Sequence, residues 1–192
     1  MEKYEYFNNE INYINDYKIK ESAKLLINGL PEYFFSIPAS STGKYHPSFT
    51  LGNGGLVRHT KVAVRIAKEL LDIEMFKDKI GDKRDLLILS LILHDGIKKG
   101  MPEGNYTALD HPNLIAKYIY DNKDKIGTYL TDGDITFLMR CVKSHMGEWN
   151  KNMDGKEILD KPVDKYQKFV HMCDYLASRK FLDVKFNGNE IE

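Results

Sequence analysis

The chain has 192 residues, close to the length of one domain, so a single core with a small N-terminal addition is expected. Lys plus Arg and Asp plus Glu each number 28, and a formal net charge of zero points away from non-specific binding of long polyanions. A hydrophobic fraction of 42% and a charged fraction of 29% exclude disorder, and two cysteines exclude a disulfide framework, so Cys141 and Cys173 are expected as reduced core residues.

The chain opens with MEKYEYFNNEINYIN, which lacks the cationic-then-apolar order of a secretory signal. Residues 9–29 read as a helix carrying Ile11, Ile14, Leu25 and Leu26, stopped by Gly29 and Pro31. Residues 36–54, rich in Ser, Gly and Pro, read as one long ordered loop of the kind that is usually functional. The clearest helix runs from Gly55 to about Ile73. Leu56, Ala63, Ile66, Ala67, Leu70 and Leu71 form its apolar stripe, and Arg58, Lys61, Arg65, Lys68 and Asp72 its polar face. The helix from about Lys83 to Asp95 is apolar nearly all round between Leu86 and Leu93, which marks a buried central element too short to span a bilayer. Further helices are predicted over Asp110–Tyr120 (Asp110 as N-cap, Pro112 in the first turn), about Thr131–Met146 and about Val163–Phe186. No alternating strand pattern appears, so the expected fold class is all-α. It is a compact bundle in which residues 1–35 form a helical segment packed on a core spanning 36–192. The aromatic residues of that segment (Tyr4, Tyr6, Phe7, Tyr13, Tyr17) cover the bundle or form a homodimer contact, and a cytoplasmic protein with no membrane partner is expected.

The histidines carry the chemistry. His59, His111 and His145 fall on the apolar stripes of their helices, His94-Asp95 ends the most buried helix, and Asp174 sits beside the stripe of the last one. A single inward histidine is most often a satisfied core residue. Two inward carboxylates among four imidazoles are different, because burying an unpaired carboxylate costs several kcal/mol. A metal resolves that cost, and mixed nitrogen and oxygen ligands suit Mn, Fe, Co, Ni or Zn. The absence of paired cysteines argues against structural zinc.

These residues resemble the signature of the HD-domain metal-dependent phosphohydrolases: His59, then His94-Asp95, then Asp174. His111 and His145 look like the pair that holds a second metal in the dinuclear branch. The run His94-Asp95-Gly96-Ile97-Lys98 resembles the family's His-Asp-x-x-Lys motif, whose Lys reaches towards phosphate. Tyr45-His46, Gly54-Gly55-Leu56-Val57-Arg58-His59-Thr60, Ser144-His145-Met146-Gly147 and His171 three residues before Asp174 are similar to the HD domain of YhaM-type 3′→5′ exoribonucleases. The segment near His111, where those proteins place a His-x-Pro or similar stretch, and the pair Asp174-Tyr175 are similar to YqeK-type dinucleoside polyphosphate hydrolases. The exoribonucleases also carry an N-terminal OB-fold, whereas the 35 residues ahead of the loop here read as helix. The resemblance therefore implies the HD fold and chemistry without fixing the substrate.

It implies two divalent ions, about 3.5–4 Å apart, that bridge an attacking hydroxide. His59, His94 and Asp174 would hold one, His111 and His145 the other, and Asp95 would be shared. The expected reaction is hydrolysis of a phosphate mono- or diester in a nucleotide or short oligonucleotide. Asp95 and Lys98 are the expected catalytic residues, Lys98 as a point charge. Lys44, Tyr45 and His46 in the loop, Trp149 as a stacking surface and His171 (as a substrate contact or a support for the ligands) are candidates for substrate binding. A di-iron oxygenase and a non-catalytic metal- and nucleotide-binding regulatory module are the alternatives. Arg58 is expected at the surface, away from phosphate.

Overall fold

The computed structural model describes residues 2–40, 43 and 46–192, so the expectations for Lys44 and Tyr45 lie outside the described residues. The chain is mostly helical. After a 3-10 turn (Lys3–Phe7), α1 (Asn8–Asn12) and α2 (Tyr17–Asn28) replace the single helix expected over 9–29. The break comes from Asp16, whose carboxylate accepts the backbone N–H groups of Lys18 (2.7 Å) and Ile19 (3.2 Å) and so starts a new helix. Phe7, Ile11 and Ile14 are buried in the common core, while Leu25 is 43% exposed and Leu26 takes the inward place.

The described residues of the segment 36–54 are irregular apart from a 3-10 turn at Ser48–Thr50. Its course is fixed by backbone bonds from Gly54 to Ser36, Ala39 to Thr50 and Leu56 to Ile37, each 3.0 Å. The Arg58 side chain gathers the loop's free carbonyls: Nε donates to Phe49 (2.6 Å), Nη2 to Leu51 (2.8 Å) and Nη1 to Asn53 (3.0 Å). Gly55 is required here, because a Cβ would meet the Thr50 carbonyl oxygen at 2.0 Å.

The loop leads into α3 (Gly55–Leu71), then α4 (Glu74–Ile80), which the periodicity did not suggest, and α5 (Arg84–Leu93). Every residue from Leu86 to Leu93 is buried, so α5 is the central helix expected. It packs against α3, α8 (Asp132–Lys143) and α9 (Lys165–Ala177); α6 (His111–Asp121) lies along α8, α3 lies along α9, and α7 (Lys123–Ile126) is a single turn after α6. Thr131 with Asp134, and Asp164 with Gln167, form capping boxes that start α8 and α9. Asp110 sits at the N-cap of α6 as expected, but its side chain makes no capping bond.

The last helix stops at Ala177 rather than near Phe186. Beyond it, β1 (Phe186–Asn187) and β2 (Glu190–Ile191) pair antiparallel around Gly188, whose φ is +62°. A two-residue strand cannot show alternation, so only the Asn187-Gly188 dipeptide signalled this hairpin. Together with α1 it covers one side of α3 and buries Lys61, expected on the polar face, to 0% exposure. The Lys61 ammonium lies 2.5 Å from Glu190 Oε1 and 3.4 Å from Glu10 Oε2, and 5.8 Å from the centre of the Phe7 ring. Among the described residues, no helix is long and apolar enough to cross a membrane.

Candidate metal centre

Five helices bring their ends or inner faces to one point. His59 lies in the second turn of α3, and His94-Asp95 follow the last turn of α5. His111 opens α6, His145 lies two residues past α8, and Asp174 is on the last turn of α9. The four imidazoles and Asp95 are buried, and Asp174 is partly so. Their ligating atoms form two clusters, His59 with His94 and Asp174, and Asp95 with His111 and His145.

In the first cluster Asp174 Oδ1 is 2.9 Å from His59 Nε2 and 3.5 Å from His94 Nε2. In the second, Asp95 Oδ1 is 3.1 Å from His111 Nε2 and 3.6 Å from His145 Nε2, and the two Nε2 atoms are 3.2 Å apart. Asp95 faces both clusters: its other oxygen, Oδ2, lies 3.6 Å from His94 Nε2 and 2.5 Å from the Lys98 ammonium.

The proton inventory decides what the second cluster needs. Nδ1 of His111 is 2.8 Å from the Ala108 carbonyl, and Nδ1 of His145 is 2.7 Å from the Val142 carbonyl. A carbonyl only accepts, so each Nδ1 carries the hydrogen and each Nε2 of a neutral ring presents a bare lone pair. Two lone pairs and a carboxylate oxygen therefore converge in a buried space, and Asp95 Oδ1 makes no aligned hydrogen bond among the described residues. A bound cation would satisfy all three acceptors at once. His94 is held in the same way, with Nδ1 2.6 Å from the Leu91 carbonyl and Nε2 buried without a hydrogen-bond partner among the described residues. His59 differs, since it is Nε2 that meets Asp174 and Nδ1 that is buried unpaired among the described residues. The donor set of nitrogens and carboxylate oxygens fits a divalent transition metal.

Burial alone would push both carboxyls up. In the protein without metal, the two carboxylates raise the His94 pKa against its burial; the Lys98 ammonium and the His94 charge then hold the Asp95 carboxyl well below its usual range, and the His94 charge and the His59 hydrogen bond do the same for Asp174. Burial pulls His46 down to about 4, with His59 and Lys98 adding to the effect, so this ring is neutral at physiological pH.

The clusters open into a cavity of about 410 Å³. Its wall includes His46, Lys98, Trp149 and Arg179. A slightly larger cavity of about 460 Å³, between α2 and the start of α5, is lined by Lys18, Lys83 and Arg84 and holds no metal-ligating cluster among the described residues. The chemistry, not the volume, selects the site.

All six expected metal ligands meet here, Lys98 reaches Asp95, and His46 and Trp149 line the cavity. His171 is not among the lining residues. Its Nδ1 donates to the His145 carbonyl (2.7 Å), and its ring packs where any Cβ on Gly147 would sit, 2.2 Å from it, which fixes the turn that carries His145. Tyr175 and Arg179, to which sequence reasoning gave little weight, line the cavity as well. Their signal was spacing: His171, Tyr175 and Arg179 succeed one another at four-residue steps along α9 and its end. Comparison with family models, curated proteins and solved structures gives no match to this chain.

Proposed function

We propose that the chain is a metal-dependent phosphohydrolase of the HD-domain type, cleaving a mono- or diester phosphate of a nucleotide or short oligonucleotide. The observation that carries this reading is the donor-free convergence of Asp95 Oδ1, His111 Nε2 and His145 Nε2 beside a second cluster of the same composition. His59, His94 and Asp174 would hold one ion, and Asp95, His111 and His145 the other, with Asp95 facing both. Divalent ions so placed supply Lewis acidity to phosphate oxygens and lower the pKa of water towards neutrality.

The chain's own groups do the rest. The i−3 carbonyls of Leu91, Ala108 and Val142 fix three imidazoles so that Nε2 faces inwards. Lys98, largely buried, keeps Asp95 ionised and puts a positive charge on the cavity wall, where it can offset the charge of a phosphoryl group. The neutral His46 ring offers a wall without adding charge near His59.

The test is a metal analysis of the purified protein, followed by an Mn²⁺-supplemented screen. The panel holds nucleoside monophosphates, linear and cyclic dinucleotides, dinucleoside polyphosphates and short RNA and DNA. Stoichiometric transition metal and turnover of at least one ester are expected. Metal without any ester hydrolysis would replace this reading with a regulatory module, and oxygen consumption by an iron-loaded protein would replace it with an oxygenase.

A further inference from the structure

One wall of the cavity is built differently from its floor. Trp149, the single tryptophan of the chain, is 51% exposed although it borders a buried site. Its position is fixed by its neighbour Asn150, which is fully buried and donates its amide to the Leu159 carbonyl (3.2 Å). Trp149 lies nearly parallel to Tyr175, with ring centres 5.7 Å apart and planes at 18°. Two aromatic planes must be about 7 Å apart to admit a third, since stacked rings sit at van der Waals contact. Nothing flat can enter between this pair, so a ligand ring meets the outside of the pair, where Trp149 is half exposed.

Arg179 lies across Tyr175, 4.1 Å from the ring centre, and 5.9 Å from that of Trp149. Its Nε and Nη2 are held by the Tyr175 carbonyl and the Ser178 hydroxyl, and no carboxylate neutralises it among the described residues. An arginine stacked on a ring keeps an edge of donors for an anion. The wall therefore combines an exposed aromatic surface with an unneutralised cation, in the cavity that Asp95 and Lys98 also line.

From this we infer that Trp149, Tyr175 and Arg179 form a nucleobase subsite for one base. The substrate is then a mononucleotide or the terminal nucleotide of a chain, with purines preferred for their larger stacking area. This rests on the phosphohydrolase reading for what happens to the phosphate, but binding of the base can be measured without it.

The full chain is titrated with adenosine, uridine and ribose 5-phosphate, none of which needs turnover to be detected. Trp149 fluorescence and calorimetry are the readouts. Adenosine is expected to quench the emission saturably and to bind more tightly than uridine, while ribose 5-phosphate leaves the emission unchanged. Trp149→Ala should weaken adenosine by at least about fivefold, the lower end of what stacking on one base contributes. Its affinity for ribose 5-phosphate should not change, which also reports a folded site. Arg179→Gln should weaken ribose 5-phosphate and spare adenosine. Emission that ignores adenosine, or Trp149→Ala binding adenosine as the native chain does, overturns the subsite. So does emission that tracks protein concentration instead, which would make the wall a self-association surface. Mn²⁺-dependent hydrolysis of p-nitrophenyl phosphate is run alongside. If it and the ester panel both fail while adenosine binds, the phosphohydrolase reading falls and the subsite stands; if either succeeds while adenosine does not bind, the reverse holds.

Discussion

Two buried polar clusters flank α3, and they are opposites. On one side Lys61 is enclosed by α1 and the C-terminal hairpin, with Glu190 and Glu10 around its ammonium. Asn9 also donates to Glu190 (2.7 Å), and Arg58 to Asn189 (2.9 Å), so hairpin, loop and N-terminal segment are tied together. Every charge there has a partner within the chain. On the other side, Asp95 Oδ1, His111 Nε2 and His145 Nε2 converge with no donor between them among the described residues, the Lys98 ammonium holding the other Asp95 oxygen. Burial of charge is common to both, so burial does not mark function. The balance of donors and acceptors does: around Lys61 each carboxylate faces an ammonium, although Glu10 Oε2 makes no hydrogen bond among the described residues, while in the second cluster three acceptors face one another with no donor between them among the described residues.

If that contrast is right, the two clusters should fail in different ways. The largest effect is expected from Asp95→Asn. The new amide supplies donors to the facing lone pairs, so the protein should fold at least as well as before without metal. It should lose the second ion and at least about 10²–10³-fold in turnover, as when a principal charge-stabilising group is removed. Metal analysis with urea unfolding reads both; a variant that keeps its metal removes Asp95 from the centre.

Lys61→Met should do the reverse. It leaves the buried Glu10 without its counter-charge, and removing one partner of a buried pair costs about 3–5 kcal/mol. Metal per folded chain should be unchanged. A loss of stability below about 1 kcal/mol, the usual worth of a surface pair, would mean that the cluster is not closed to water.

Lys98→Ala lies between the two, because Lys98 belongs to the metal side and yet is a partner supplied by the chain. Metal should remain bound and turnover should fall by about 10–100-fold, as for groups that support ligands. Unchanged kinetics on a confirmed substrate would make Lys98 a structural counter-ion to Asp95 only.

The difference between the clusters also explains what the sequence could disclose. The histidine cluster was legible because His59, His111 and His145 keep helical spacing with apolar neighbours: Leu56 and Ala63 around His59, Leu114 and Ile115 after His111, and Val142, itself four residues after Leu138, before His145. A polar residue on an apolar stripe is a local signal. The Lys61 side was not legible, because Lys61 stands with Arg58, Arg65 and Lys68 on what reads as a solvated face. What buries it comes from Phe7 and Glu10 at one end of the chain and Glu190 at the other, and periodicity within α3 carries no trace of either. The break at Asp16 was misread for a related reason: Ile11 and Ile14 on one side and Leu25 and Leu26 on the other read as one helix, and capping divided it. Tyr175 was visible as a residue and not as a site, since its role depends on Trp149, which arrives from beyond α8.

The smallest and most discriminating effect is expected from Glu10→Gln. Burial pushes the Glu10 carboxyl above its ordinary 4.5, and the Lys61 charge offsets only part of this. A carboxyl with a raised native pKa binds its proton more tightly folded than unfolded. Its contribution to stability is therefore fully present below 4.5 and is lost as the pH rises through the raised native value. At neutral pH the ionised Glu10 stabilises little, and Lys61 still has Glu190 2.5 Å away. Glu10→Gln should then cost less than about 1.5 kcal/mol at neutral pH, the range of a single net hydrogen bond. The gap should widen in favour of the native chain as the medium is acidified, because only the native chain gains a proton there. Urea midpoints across the acid range measure it. A gap that closes on acidification would mean that the ionised form of Glu10 is the stabilising one, and that the Lys61 cluster is held together by charge rather than merely balanced by it.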